Sequence, residues 1–219
     1  MAKDLAIVLN NGSLNSAVIT TLAAQKYRPI TVYADLGATP VARFRAAYDQ
    51  QVAHFKPYRE HTLAMSQLGA LRVSGGSSAS NIDPRQQGLL APQLVDLLPV
   101  LFAAATIAVH YQAGAIYIGL RVGAAPDDLA QATEYVQICN ELLQLPCGQP
   151  ELELQAPLLE LEPWQVVDVG FQVGAPLEKG WSCAENNPEP CGVCRGCRAR
   201  ESAFQTAGKP DPLRPVKKT

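Results

Sequence analysis

Leu5 to Lys26 read LAIVLNNGSLNSAVITTLAAQK. Leu5 to Leu9 are apolar without a break and stop at Asn10-Asn11-Gly12, which predicts a buried strand entering a tight turn. Ser13 to Lys26 then predicts a helix, with Ser13 or Asn15 as its cap. Downstream, Ile30 to Asp35 (ITVYAD) is β-branched and aromatic, the composition of a second strand. Val41 to Phe55 spaces its apolar residues helically around Arg43, Arg45, Asp49 and Gln50, which predicts an amphipathic helix. Tyr58 to Leu63 supplies a third strand. Strands alternating with helices this way need a parallel sheet covered on both faces.

Residues 66 to 95 interrupt the alternation. They hold SGGSSAS at Ser74 to Ser80, then Asn81, Pro84, Gly88 and Pro92, with little periodicity, and predict a long surface loop. The Gly-Ser run lacks a preceding strand, so it does not read as a phosphate loop. Pro99 to Ala113 predicts a nearly all-apolar helix with proline in its first turn. Ala115 to Leu120 predicts a central strand, and Leu129 to Leu145 an amphipathic helix capped by Asp127-Asp128. Leu152 to Gln155 reads as a short strand and Pro163 to Gly170 as a helix, before a cysteine-rich segment and a proline-rich tail.

The 219 residues are 47% hydrophobic and 17% charged, a globular composition able to bury a substantial core. A net charge of -2 argues against a nucleic-acid surface, and the basic run Arg214 to Lys218 reads as a solvated tail. Met1-Ala2-Lys3-Asp4 leads straight into a strand rather than a signal peptide. The apolar stretch Leu97 to Val109 contains Pro99 and is too short to span a membrane. The expected setting is therefore the cytoplasm, where clustered thiols hold metal more often than they form disulfides.

Cys183, Cys191, Cys194 and Cys197 follow the spacing C-x7-C-x2-C-x2-C. Four thiolates this close converge on one tetrahedral zinc ion and leave no position for water, so the metal is expected to be structural. Its expected work is to fold a Gly/Pro-rich segment with few apolar residues of its own. Cys139 lies on the apolar side of a predicted helix and reads as core; Cys147 also stands outside the cluster.

Around these cysteines, Trp181-Ser182-Cys183, Pro190-Cys191-Gly192-x-Cys194-x-x-Cys197-x-x-Arg200, Ala203-Phe204, Ala207-Gly208 and Asp211-Pro212 follow one another. This segment resembles the C-terminal signature of the 7-cyano-7-deazaguanine synthases over about thirty residues. The order of elements, Asp35-Leu36-Gly37 after the second strand, and Ala156 to Leu159 (Ala-Pro-Leu-Leu) extend the resemblance. It implies an α/β fold, a Rossmann-like parallel sheet of the adenine nucleotide alpha hydrolase kind with helices on both faces. That domain is expected over residues 1–175, with a small zinc-binding module over 176–219.

The resemblance also implies an ATP-dependent ligase with magnesium. Such enzymes adenylate the carboxylate of 7-carboxy-7-deazaguanine, let ammonia displace AMP, and dehydrate the amide to a nitrile for queuosine-type nucleoside synthesis. It further implies a homodimer. The family's ATP loop reads Ser-Gly-Gly-x-Asp-Ser, and here the matching positions are Asn11, Gly12, Ser13, Leu14, Asn15 and Ser16. Together with Asp35, these polar positions are the candidate ATP site. Gly12 and Ser16 fit. Asn11 replaces a hydroxyl, Asn15 replaces an acid, and Ser13 replaces a glycine, which is costly if that site needs a positive φ.

Other positions depart as well. Ala38-Thr39-Pro40 stand where the family has polar residues and a histidine, and Leu94 to Leu97 stand where it has Pro-Gly-Arg-Asn. Ala125-Pro126-Asp127-Asp128-Leu129 keeps only the proline and acid of Tyr-Pro-Asp-x-Arg. Asp127 is a candidate for a guanine-like edge, and Arg121, just past a strand end, for a carboxylate or phosphate. No catalytic residue is assigned. Two readings follow: an ATP-dependent ligase acting on a deazaguanine-like carboxylate, or a degenerate paralogue that keeps fold and zinc and serves as a binding partner. A thiolating enzyme fits less well, because the clustered cysteines are employed on metal.

Overall fold

A computed structural model describes residues 4–37, 41–68, 91–122, 126–148 and 150–213; side chains at 41, 91–96, 126–127 and 146–147 are also outside the description. The expected loop at 66–95 therefore falls mostly outside it, as do SGGSSAS, Ala38-Thr39-Pro40, Ala125 and the basic tail. Among the described residues five strands form one sheet in the order β3-β2-β1-β4-β5: β1 (Leu5–Leu9), β2 (Arg28–Asp35), β3 (Arg59–Ala64), β4 (Ala115–Tyr117) and β5 (Glu153–Gln155). Every pairing is parallel. The fold is Rossmann-like, and β1 lies at the point where strand order reverses.

Helices cover both faces. Alternation along β1 sends Ala6 and Val8 to one side, against α1 (Leu14–Ala24), α5 (Pro163–Gln172) and α6 (Arg195–Thr206). Ile7 points to the other side, with Leu101, Ala104, Ala105 and Ala108 of α3 (Ala91–Tyr111) and Cys139 and Leu143 of α4 (Pro126–Cys147). The expected core position of Cys139 is the observed one: it is buried, and burial raises its thiol pKa. α2 (Val41–Phe55) joins the α1 face, where the Tyr48 hydroxyl meets that of Thr31 at 3.2 Å.

Several sequence expectations shift. α3 begins at Ala91, inside the expected loop, so Pro99 is an interior residue and not a first-turn one. A proline there removes one backbone bond, yet apolar burial along a 21-residue helix outweighs it. α4 begins at Pro126, which places Asp127 and Asp128 in its first turn instead of ahead of it. Acids there still favour the helix dipole. β4 ends at Tyr117, three residues short of Leu120, because the chain leaves the ladder after Ile118 N–H reaches Gln155 O at 2.9 Å. α6 has no counterpart in the sequence reading. Among the described residues no helix is long and apolar enough to cross a membrane.

Candidate functional site

The C-terminal ends of β1, β2 and β4 open into a cleft of about 270 Å³ at the strand-order reversal. Leu9, Val32, Ala34, Leu36, Val100 and Ile118 give it apolar walls. Its polar floor is Asn10, Asn11, Ser13 and Ser16, and no described lining side chain is charged. A second concavity, at Arg28, Lys56 and Arg59, lies at the opposite, N-terminal ends of β2 and β3. Lys56 directly follows the end of α2. Cations beside a helix C-terminus answer its dipole.

The loop after β1 is held from within. Asn10, buried at the strand end, accepts the Gly12 N–H at 2.8 Å and donates to Thr20 at 3.2 Å and Gln51 at 2.9 Å. Gln51 in turn donates to Ser13 O and Lys179 O. Gly12 turns the chain at φ +79; a Cβ there would run into Phe44 O and lie 2.8 Å from Tyr48 N. Ser13 sits at φ -77 and ψ 171, extended backbone open to any residue, so its replacement of a glycine stores no strain. It is the N-cap of α1, its Oγ accepting Ser16 N–H at 3.2 Å.

Asn11 closes the loop on itself. Its Oδ1 accepts Ser13 N–H at 3.1 Å and the Ser16 hydroxyl at 2.8 Å, while Asn11 N–H donates to Ser16 Oγ at 3.1 Å. Asn15 donates its amide to Gly119 O at 3.2 Å, tying α1 to the end of β4. A carboxylate in that place has no proton for the bond. Asp35 accepts the Gly37 N–H at 2.9 Å and shapes the turn after β2. Neither Asp35 nor Arg121 lines the cleft; Arg121 donates to Leu161 O at 3.4 Å. The Asp127 side chain is outside the description.

The four cysteine sulfurs all lie within 4.8 Å of one another. Cys183 and Cys194 are 3.9 Å apart, and Cys191 and Cys197 4.0 Å. A tetrahedron with metal–sulfur bonds of about 2.3 Å has edges of about 3.8 Å, so the group fits one tetrahedral ion. Backbone N–H groups of Glu185 and Cys191 point at Cys183 Sγ, those of Ala184 and Cys197 at Cys194 Sγ, and that of Cys194 at Cys191 Sγ. Bonds from Ala184 and Cys197 pull Cys194 down to about 6, so it is a ready thiolate. Burial pushes Cys197 up to about 12.

The model of the family described as "Queuosine biosynthesis protein QueC" matches residues 5–208. The chain belongs to the QueC family. It is 27% identical over 227 residues to a 7-cyano-7-deazaguanine synthase of Parasynechococcus marenigrum, covering 96% of this chain and 97% of that one. It is 28% identical over 218 residues to a 7-cyano-7-deazaguanine synthase of Methanothermobacter thermautotrophicus, covering 94% and 97%. Among solved structures, an NMN synthetase from Francisella tularensis superposes with a TM-score of 0.51 at 14% identity, covering 95% of this chain and 79% of that one. That likeness supports the fold alone.

Within the QueC frame, the sequence located the loop but not its supports. Asn10 and Gln51 pair across 41 residues of chain, a contact no local pattern announces. Trp181 donates its backbone N–H to Gly12 O at 2.9 Å, so the cysteine segment touches the cleft loop. The one sequence signal for these supports was polarity inside apolar elements: Asn10 at a buried strand end and Gln51 in the helix that covers it.

Proposed function

We propose that this QueC-family chain is a 7-cyano-7-deazaguanine synthase-like ligase that activates a deazaguanine-like carboxylate with ATP and magnesium. One observation carries the reading: the cleft at the ends of β1 and β4 is floored by Asn11, Ser13 and Ser16, the loop positions that the resemblance aligns with an ATP loop. Asn11, Ser13 and Ser16, which line the cleft, would face the phosphates, while the turn at Gly12, the Asn15 bond to Gly119 O and the turn held by Asp35 would support the loop. Apolar walls from Val32, Ala34 and Ile118 suit a flat heterocycle. Arg121 would leave its bond to Leu161 O to meet the acid substrate, Asp127 would serve its guanine-like edge, and ammonia would displace AMP.

In this reading the four cysteines hold structural zinc, and a reducing, cytoplasmic setting keeps their thiols available. Self-association belongs to it as well. Phe102 and Val109 on α3, and Ile138, Leu142 and Leu145 on α4, leave apolar side chains exposed on adjacent helices.

A second reading, the zinc-binding paralogue without nucleotide chemistry, is favoured by the loop's own bonding. The N–H groups of Asn11, Gly12, Ser13 and Ser16 already have partners inside the loop or at Asn10. Supplying zinc-replete protein with 7-carboxy-7-deazaguanine, ammonia, ATP and magnesium decides between the two. The ligase releases pyrophosphate and AMP in step with acid consumed. If neither turnover nor nucleotide affinity is found, the paralogue reading stands.

A further inference from the structure

Arg200 is a buried cation, with 6% of its surface exposed, and it does not line the cleft. It lies three residues beyond Cys197 on α6. Its Nε and one Nη bind both oxygens of Asp211 at 2.8 Å, fixing the guanidinium as a fork. The remaining donors reach the turn ahead of the cysteines: Nη1 binds Gly180 O at 2.6 Å and Nη2 binds Leu177 O at 2.9 Å. Burial of the pair costs desolvation that these hydrogen bonds offset, and loss of either partner would leave an uncompensated buried charge.

Those carbonyls belong to the turn that meets the cleft loop. Gly180 packs so closely on the start of α1 that a Cβ would lie 2.7 Å from Leu14 Cα. The next residue, Trp181, gives its backbone N–H to Gly12 O at 2.9 Å and bridges to Ser13 as a parallel pair. Its indole N–H binds Cys183 O at 3.0 Å, so the same residue grips the first cysteine. Trp181 is itself buried, beside Cys183, Cys197 and Ala47 of α2. Two short routes thus join the sulfurs to Gly12: Cys183 to Trp181, and Cys197 through Arg200 to Gly180.

We propose that Arg200 and Trp181 are positioning residues through which metal binding at the four cysteines sets the geometry of the 10–16 loop. The metal would fix Cys183 against α6, Arg200 and Trp181 would carry that placement to Gly180 and Gly12, and the loop would hold its turn. The inference rests on the nucleotide reading only in naming the loop's ligand. Its test uses no nucleotide, so the two stand or fall separately.

Hydrogen–deuterium exchange on the full-length zinc-loaded protein, read by peptide, is the measurement. Removing zinc with a chelator should speed exchange in peptides spanning 10–16 and at Trp181 by about tenfold, with β1, β2 and β4 still protected and zinc addition restoring the loop. Arg200→Lys keeps the charge but cannot make the fork, and should speed the loop similarly while zinc content stays at one per chain. Asp211→Asn, which keeps the guanidinium and loosens it, serves if the lysine variant does not fold. Loss of protection confined to 183–206, or spread evenly over the whole sheet, overturns the proposal.

Discussion

The side-chain oxygen of Asn11 accepts the hydroxyl of Ser16 at 2.8 Å. The same oxygen takes the Ser13 N–H at 3.1 Å, so an uncharged amide occupies two donors at the start of α1 that a phosphate oxygen would use. Replacing Asn11 with serine, the residue of the family pattern, removes that internal acceptor. Freeing two donors of about 1 kcal/mol each should tighten ATP binding by roughly thirtyfold. Titration calorimetry with magnesium reads the change. Unaltered affinity in the Asn11→Ser protein would show that the loop's self-bonding is not what limits the nucleotide.

Gly12→Ala tests the turn. The residue sits at φ +79, and a methyl group would strike Phe44 O with Tyr48 N 2.8 Å away. Both neighbours are backbone of α2, which cannot rotate aside. The expected loss is about 2–4 kcal/mol in urea unfolding, well above the cost of a glycine to alanine change in an unstrained loop. A variant as stable as the parent would mean that α2 shifts freely, and would unsettle the packing described between α2 and the loop.

The centre of the sheet could be read in advance because a strand such as Leu5–Leu9 is an apolar run closed by Asn10-Asn11-Gly12, whereas β3 (REHTLA) and β5 (ELQ) carry little apolar signal. Helix limits were less legible. Pro99 signals a helix start, yet the apolar burial of α3 carries the helix through it. α6, RGCRARESAFQT, is too polar to announce itself, and it is ordered by Phe204 in the core and Arg200 at Asp211. In the site, the cysteine spacing fixed the metal cluster because all four ligands lie within fifteen residues of one another, whereas the cleft is assembled from residues far apart in the chain. Ser13 shows the limit from the other side. Substitution for a glycine looked costly until its φ of -77 placed the strain at Gly12 alone.

Thiol chemistry separates the cysteines. With zinc bound, the cluster should resist alkylation, since a coordinated thiolate is not free to attack. After chelation at pH 7, Cys194 should be labelled first, because backbone N–H bonds hold it down to about 6 and leave it ionised. Its depressed value means that the thiolate dominates above that pH and is lost as pH falls through it, so labelling should slow below about 6. Cys197, pushed up to about 12 by burial, should lag, and buried Cys139 should stay unlabelled until the fold opens. Peptide mass spectrometry after iodoacetamide pulses ranks the sites. Labelling of Cys197 ahead of Cys194 would contradict the hydrogen-bond geometry around the sulfurs.

The exposed apolar rows make the final prediction. Leu142 and Leu145 on α4 are 44% and 83% exposed, and Phe102 on α3 is 47% exposed. Covering such side chains is worth about 1.5–3 kcal/mol for each one fully buried, so a second copy seated here would bind through a few of them. An isologous contact places each substituted residue in the interface twice over, once from each protomer. Leu142→Glu should therefore weaken self-association by well over tenfold while leaving the fold intact, because the residue points away from the core that Cys139 and Leu143 enter. Sedimentation velocity across a concentration series reads both states. A parent protein that sediments as a monomer throughout, or a Leu142→Glu variant that still dimerises, would remove α3 and α4 as the contact face.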